Sequence, residues 1–120
     1  DAVLARFRTR LADRGLKLLL DFVPNHTAPD HPWADDHPGW YVRGADADPE
    51  REPANYVRRP NGVFAHGRDP YFPGWPDTLQ LNYRHPGLRA AMTAELLSVA
   101  DRCDGVRCDM AMLLLPDVFA

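Results

Sequence analysis

Ten of the twelve prolines in this 120-residue chain fall between Pro24 and Pro76. Proline has no N–H to donate and a fixed φ, so helix interiors and central strands exclude it. Long regular elements are therefore confined to the two flanks. All three tryptophans, Trp33, Trp40 and Trp75, lie in the same interval. That aromatic content argues against disorder. Residues 24–84 thus read as a long, ordered loop insertion, a length of irregular chain that usually carries function. Short strands are expected near 41–43 and 61–65, with Asn61-Gly62 as a turn.

The flanks show clear periodicity. In residues 1–14, Val3, Leu4, Phe7 and Leu11 recur at helical spacing, and Gly15 suits the position just past a helix end. Residues 16–23 form a nearly continuous apolar run broken by Asp21, the pattern of a strand buried on both faces. After the excursion, His85-Pro86 opens a helix reaching about residue 102, with Leu88, Met92, Leu96 and Val99 on one face. Asp104-Gly105 turns into a second strand, 106–110. A last apolar run, 111–115, precedes Pro116 and a further helix. Helix, strand, excursion, helix, strand is the order of a parallel βαβ unit, whose strand tips converge at one end of the sheet.

Both strands end in polar residues. The first ends Asp21-Phe22-Val23-Pro24-Asn25-His26 and the second Arg107-Cys108-Asp109. Alternation puts Arg107 and Asp109 on the same face. A guanidinium beside a carboxylate in an apolar run admits two readings: a structural ion pair, or a carboxylate held ready as a nucleophile. His26 alone reads as an ordinary loop histidine. The cluster Asp30, His31, Asp35, Asp36 and His37 matches no tight metal-ligand spacing and reads as solvated loop. Trp33, Trp40, Trp75 and Tyr71 suit either stacking against a bound ring or packing of the excursion. Residues 66–69 (His-Gly-Arg-Asp) are a further candidate for the cleft.

Fourteen Lys and Arg against seventeen Asp and Glu give a net charge of −3, which argues against a nucleic-acid partner. No apolar run approaches the roughly 20 residues of a membrane span, so no membrane partner is expected. Cys103 and Cys108 flank a strand start, where a bridge would strain the backbone, so both are expected to be reduced and the setting cytoplasmic. The chain opens on Asp1 rather than Met and reads as a piece of a longer protein.

Taken together, the two tips resemble a known pair. Asp21-Phe22-Val23-Pro24-Asn25-His26 resembles the Asp, apolar, apolar, any, Asn, His segment of α-amylase-type glycoside hydrolases. Gly105-Val106-Arg107-Cys108-Asp109 resembles their Gly-x-Arg-x-Asp segment, and Leu81-Asn82-Tyr83-Arg84-His85-Pro86 the Leu-Asn-Tyr-x-x-Pro run that leads into the third helix. The resemblance spans nearly the whole chain. It implies an α/β fold, part of a (β/α)8 TIM barrel from the third to the fourth strand, with two parallel strands, flanking helices and a short B-domain-like insertion at 24–84.

The resemblance also implies roles. Asp109 would be the catalytic nucleophile of a retaining enzyme acting on α-glucosidic bonds, by hydrolysis or transfer. Arg107 would hydrogen-bond that carboxylate, and His26 would donate to sugar hydroxyls. Asp21 and Asn25 would support the network, and Asn25 is a calcium ligand in calcium-dependent relatives. The implied partner is an α-linked oligosaccharide or glucan. No cofactor is implied beyond that possible calcium. Met112 and Leu113 stand where many α-amylases carry Lys and His, which puts endo-acting starch cleavage in doubt. The general acid/base would come from a later strand, so these 120 residues alone are expected to be inactive. The competing expectation is a non-catalytic barrel homologue that binds glycans or acts as a scaffold.

Overall fold

The computed structural model describes residues 2–119. Helix α1 spans Ala2–Ala12, and strand β1 spans Leu19–Phe22. Gly15 adopts φ +70°, the left-handed turn expected past a helix end. The helix expected over 1–14 is two residues shorter at its C-terminus, and Asp1 lies outside the described residues. Helix α4 spans Pro86–Ala100, and β6 spans Gly105–Cys108. His85 caps α4: its Nδ1 accepts from the Gly87 N–H at 3.1 Å, with Pro86 in the first turn. The face of Leu88, Met92, Leu96 and Val99 turns inward, with Leu88 and Met92 fully buried.

Strands β1 and β6 pair in parallel, Leu19 opposite Gly105 through Phe22 opposite Cys108. The βαβ order expected from the sequence is therefore present. Both strands are shorter than their apolar runs suggest. Burial also differs. Along β1, Phe22 and Leu20 are half-buried, while Leu19 and Asp21 are exposed. The sequence pattern predicts burial on both faces; among the described residues only the α4 side is covered. One reciprocal tie fixes the start of the pair. The Leu18 N–H donates to Asp104 Oδ2 at 2.9 Å, and the Asp104 N–H donates to the Leu18 carbonyl at 2.8 Å. Arg8 clamps the same carboxylate at 2.6 Å, docking α1 there and helping to hold Asp104 below the usual carboxylate range, after the Leu18 hydrogen bond.

The excursion carries more structure than its prolines suggest. Strand β2 (His26–Thr27) pairs antiparallel with β5 (Leu79–Gln80). Strands β3 (Tyr56–Arg59) and β4 (Gly62–Ala65) form a hairpin closed by Pro60-Asn61, with Gly62 at φ +119°. The strand expected at 61–65 is β4, and its partner β3 was not legible. At 41–43 there are only single bridges, Tyr41 to Leu81 and Arg43 to Phe64. Short helices α2 (Trp33–Asp36), α3 (Asp48–Arg51) and α5 (Pro116–Phe119) complete the chain, with one 3-10 turn at Pro38–Trp40 and another at Ala111–Leu114.

The packed interior sits between excursion and α4. Ala34, Tyr41, Phe64, Leu79, Leu81, Leu88 and Met92 form one buried cluster, flanked by Phe22, Trp33, Trp40, Val57 and Tyr83. By contrast α1 buries none of its residues, and Val3 and Phe7 face solvent.

Candidate active site

The parallel register brings Asp21 opposite Arg107 across the strand pair. The guanidinium serves two carboxylates at once. Nη1 donates to Asp21 Oδ2 at 2.9 Å, and Nη2 donates to Asp109 Oδ1 at 2.7 Å. Both acids push the arginine above its ordinary range, Asp21 through its hydrogen bond first. These groups are open to solvent in this chain, so the bridge orients more than it stabilises. The Asp109 N–H donates to the Phe22 carbonyl at 2.8 Å, extending the strand pairing by one residue. Met110 then enters the left-handed region at φ 58°, ψ 23°. A methionine there is strained by about 1–3 kcal/mol, and such strain gathers at functional sites. It turns the chain sharply and leaves Asp109 at the tip.

His26 stands at the same end of the sheet, beyond Pro24 and Asn25. Its ring is half-buried, with Trp75 edge-on at 5.3 Å between centroids. Burial lowers its pKa below 6.5, and the negative charges of Asp77 and Asp109 partly oppose that. Asp109 and His26 are therefore within electrostatic reach of each other. Nδ1 of His26 faces the Asn25 side-chain amide at 3.4 Å. With the Asn25 amide as donor there, Nδ1 is the acceptor and Nε2–H is left to donate.

Asn25 is 1% exposed and looks inward. Its Oδ1 accepts from Gln80 Nε2 at 3.0 Å, and its Nδ2 donates to Gln80 Oε1 at 3.2 Å. Tyr83 donates to the Pro24 carbonyl at 2.7 Å, and burial raises its phenol pKa. Gln80 is the support that sequence reading missed; Trp75, Gly67 and Tyr83 were named, but not as partners of His26 and Pro24. For Gln80 only the adjoining Leu-Asn-Tyr run pointed near it.

The remaining candidates divide. Trp33 and Trp40 meet edge to face at 5.0 Å against the buried cluster, and Tyr71 is exposed. His66, Arg68 and Asp69 line a cavity of about 520 Å³ with Asn25, Gln80 and Leu113. Met112 points outward and Leu113 inward. Cys103 and Cys108 are both free thiols.

Calcium takes six to eight oxygen ligands. The side-chain oxygen of Asn25 is already engaged by Gln80. The carboxylate lining the adjoining cavity belongs to Asp69, whose Oδ1 accepts from the Tyr71 N–H at 2.7 Å. Arg43, Arg68 and Arg84 line the same space. Among the described residues no group of three or more His, Cys, Asp or Glu could hold a metal. The residues present do not fit calcium.

The chain is thus an α/β unit with an arginine-bridged pair of carboxylates at its parallel strand tips, and comparison with known proteins places it further. No family model matches the chain. An α-glucosidase of Culex pipiens is 34% identical over 118 residues, covering 79% of this chain and 19% of that protein. The α-amylase MalA of Haloarcula japonica is 31% identical, covering 88% and 14%. An amino acid transporter heavy chain of Rattus norvegicus is 67% identical over 21 residues, 18% of this chain and 3% of that one. Among solved structures, an α-amylase from Lactobacillus plantarum superposes with TM-score 0.69 at 31% identity, covering 97% of this chain and 23% of that one. A trehalulose synthase, MutB, gives 0.67 at 25% identity, covering 88% and 21%. The chain thus spans about a fifth or less of the length of these α-glucosidase and α-amylase relatives. Its homologues are α-amylase-type glycoside hydrolases, with structural neighbours in the same family, as the strand tips imply.

Proposed function

We propose that the protein carrying this chain is a retaining enzyme of α-glucosidic bonds, a glycosidase or a transglycosylase. In this reading residues 1–120 form the third-to-fourth-strand part of a (β/α)8 barrel, and 24–84 a short B-domain-like insertion. Asp109 attacks the anomeric carbon and forms a glycosyl-enzyme ester while the leaving oxygen takes a proton from a second carboxyl group. Water or an acceptor sugar then releases the ester. Arg107 fixes the Asp109 carboxylate in position, and Asp21 fixes Arg107 from below. The His26 Nε2–H donates to a hydroxyl of the sugar being cleaved. A retaining mechanism sets its two carboxyl groups roughly 5–5.5 Å apart. Asp21 is occupied by Arg107 and opens no route for acid catalysis, so the acid/base is assigned to a residue outside this chain, and these residues alone are inactive. The substrate class is an α-linked oligosaccharide or glucan. The free thiols suit a reducing, cytoplasmic setting.

One observation carries the reading: a single guanidinium bridges Asp21 and Asp109 at the tip that also holds His26. Trapping the full-length protein with a fluorinated glucosyl substrate tests it. The label is expected on Asp109, and Asp109→Asn is expected to reduce turnover by more than about 10³-fold. Label on another residue, with turnover intact, removes the assignment. A second reading is a non-catalytic barrel homologue that binds glycans or acts as a scaffold; the 21-residue match to an amino acid transporter heavy chain keeps it in view. Under that reading the full-length protein takes no label and turns over no glucoside.

A further inference from the structure

The contact between Gln80 and Asn25 has an unusual form. Gln80 lies on β5 at 8% exposure and Asn25 at the strand tip at 1%. The amide nitrogen of Gln80 faces three oxygens from two chain segments: the Asn25 carbonyl at 2.9 Å, Asn25 Oδ1 at 3.0 Å and the Leu81 carbonyl at 3.2 Å. An amide nitrogen carries two hydrogens, so one is shared between acceptors. The exchange is completed in reverse by Asn25 Nδ2, which donates to Gln80 Oε1 at 3.2 Å. The backbone adds a further strand contact, the Leu81 N–H to the Asn25 carbonyl at 3.2 Å. Buried oxygens converging from separate segments repel one another unless a positive centre stands among them. A divalent cation is one such centre. Here the place is filled by the positive end of a side-chain amide.

We propose that Gln80 takes over in this chain the structural part that a bound cation would play, tying the excursion to the strand tip without metal. The tie fixes Asn25, whose amide in turn faces His26 Nδ1. The inference is independent of whether Asp109 is a nucleophile. It rests on the lack of fit between calcium and these residues, on the burial of both partners, and on three oxygens already satisfied by one nitrogen. A carboxylate at position 80 would reverse the arrangement. The oxygen in place of Nε2 would meet three others with no hydrogen between them, a repulsion that a bound cation relieves and that otherwise drives the carboxyl to take up a proton.

The test is hydrogen exchange in the full-length protein, read at the Leu81 amide in a peptide covering residues 79–83. Wild type is expected to show the same protection in excess calcium and in chelator. The Gln80→Glu variant is expected to exchange about tenfold faster or more in chelator and to regain protection in calcium. Wild-type protection that depends on calcium overturns the proposal. So does a folded Gln80→Glu variant whose protection calcium does not restore. If that variant fails to fold, the wild-type comparison decides alone, because it needs no substitution.

Discussion

A methyl group at position 67 would stand 3.0 Å from His26 Cβ, 3.2 Å from its Cγ and 2.9 Å from Thr78 Oγ1. The first of these is tighter than ordinary packing and the last is a collision. Thr78 Oγ1 is also the acceptor for the Gly67 N–H at 3.0 Å, so it is not free to retreat. Gly67 is thus a positioning residue for the imidazole, and Gly67→Ala should destabilise by about 1–3 kcal/mol through overpacking. In the full-length protein it should also raise KM for a glucoside more than a surface Gly→Ala change does; equal KM values would show that the ring tolerates displacement. The protonation of His26 yields a second prediction. Its folded pKa is lowered by burial, so below about pH 6.5 the unfolded chain takes up a proton that the folded chain refuses. Stability present above that pH is lost as pH falls toward the folded value. Denaturant midpoints measured at pH 7.5 and 5 should fall less in His26→Gln than in wild type. Asp77→Asn, which removes a charge that favours the imidazolium, should lower the folded pKa further and extend the loss to lower pH. At this scale Asp21, His26, Arg107 and Asp109 were legible because each tip keeps its residues adjacent in sequence. Gln80 was not, and the contacts of Gly67 and Trp75 with His26 were not, because they cross the excursion.

Helix α4 shows how far periodicity reaches. Its inward face was readable from residue spacing, and Leu88 at the centre is fully buried against Tyr41, Phe64 and Leu81 in the one cluster. Leu88→Ala should destabilise by about 2–5 kcal/mol, transfer and cavity contributions together, as a shift in the denaturation midpoint. The same substitution at Leu97, which is 61% exposed on the opposite face, should move the midpoint little. Strand β3 shows where periodicity stops. Tyr56-Val57-Arg58-Arg59 lacks apolar alternation, and Arg58 is taken up by Asp46 and Glu50 on the outer side. Only the partner β4 and the Asn61-Gly62 turn marked the hairpin. The apolar residues of α1 share a face as their spacing indicates, yet Val3 and Phe7 on it are exposed. Spacing establishes which side of a helix is apolar, while cover depends on what else is present.

The whole molecule is more extended than its length predicts. Its Cα radius of gyration is 16.9 Å, against about 13.6 Å for a compact domain of this size. The extension goes with a strand pair whose outer edges have no strand neighbour among the described residues, and with α1, which meets the rest through Arg8 and Asp104. Exposed Val3, Phe7, Leu16 and Leu19 lie along that end. The 120 residues expressed alone should therefore bind a hydrophobic dye and exchange the β1 and β6 amides faster than those of the β3–β4 hairpin. Uniform protection across both regions would show that the strand pair needs no further cover. Neither result was readable from composition, because 120 residues with ordinary apolar content say nothing about where the interior forms. It forms beneath the excursion, so the chemistry at the strand tips hangs from a self-supporting rim. Evolution could then resculpt the Pro60-Asn61 end of that rim, lengthening or trimming it, while Asp109 and His26 at the strand tips keep their alignment.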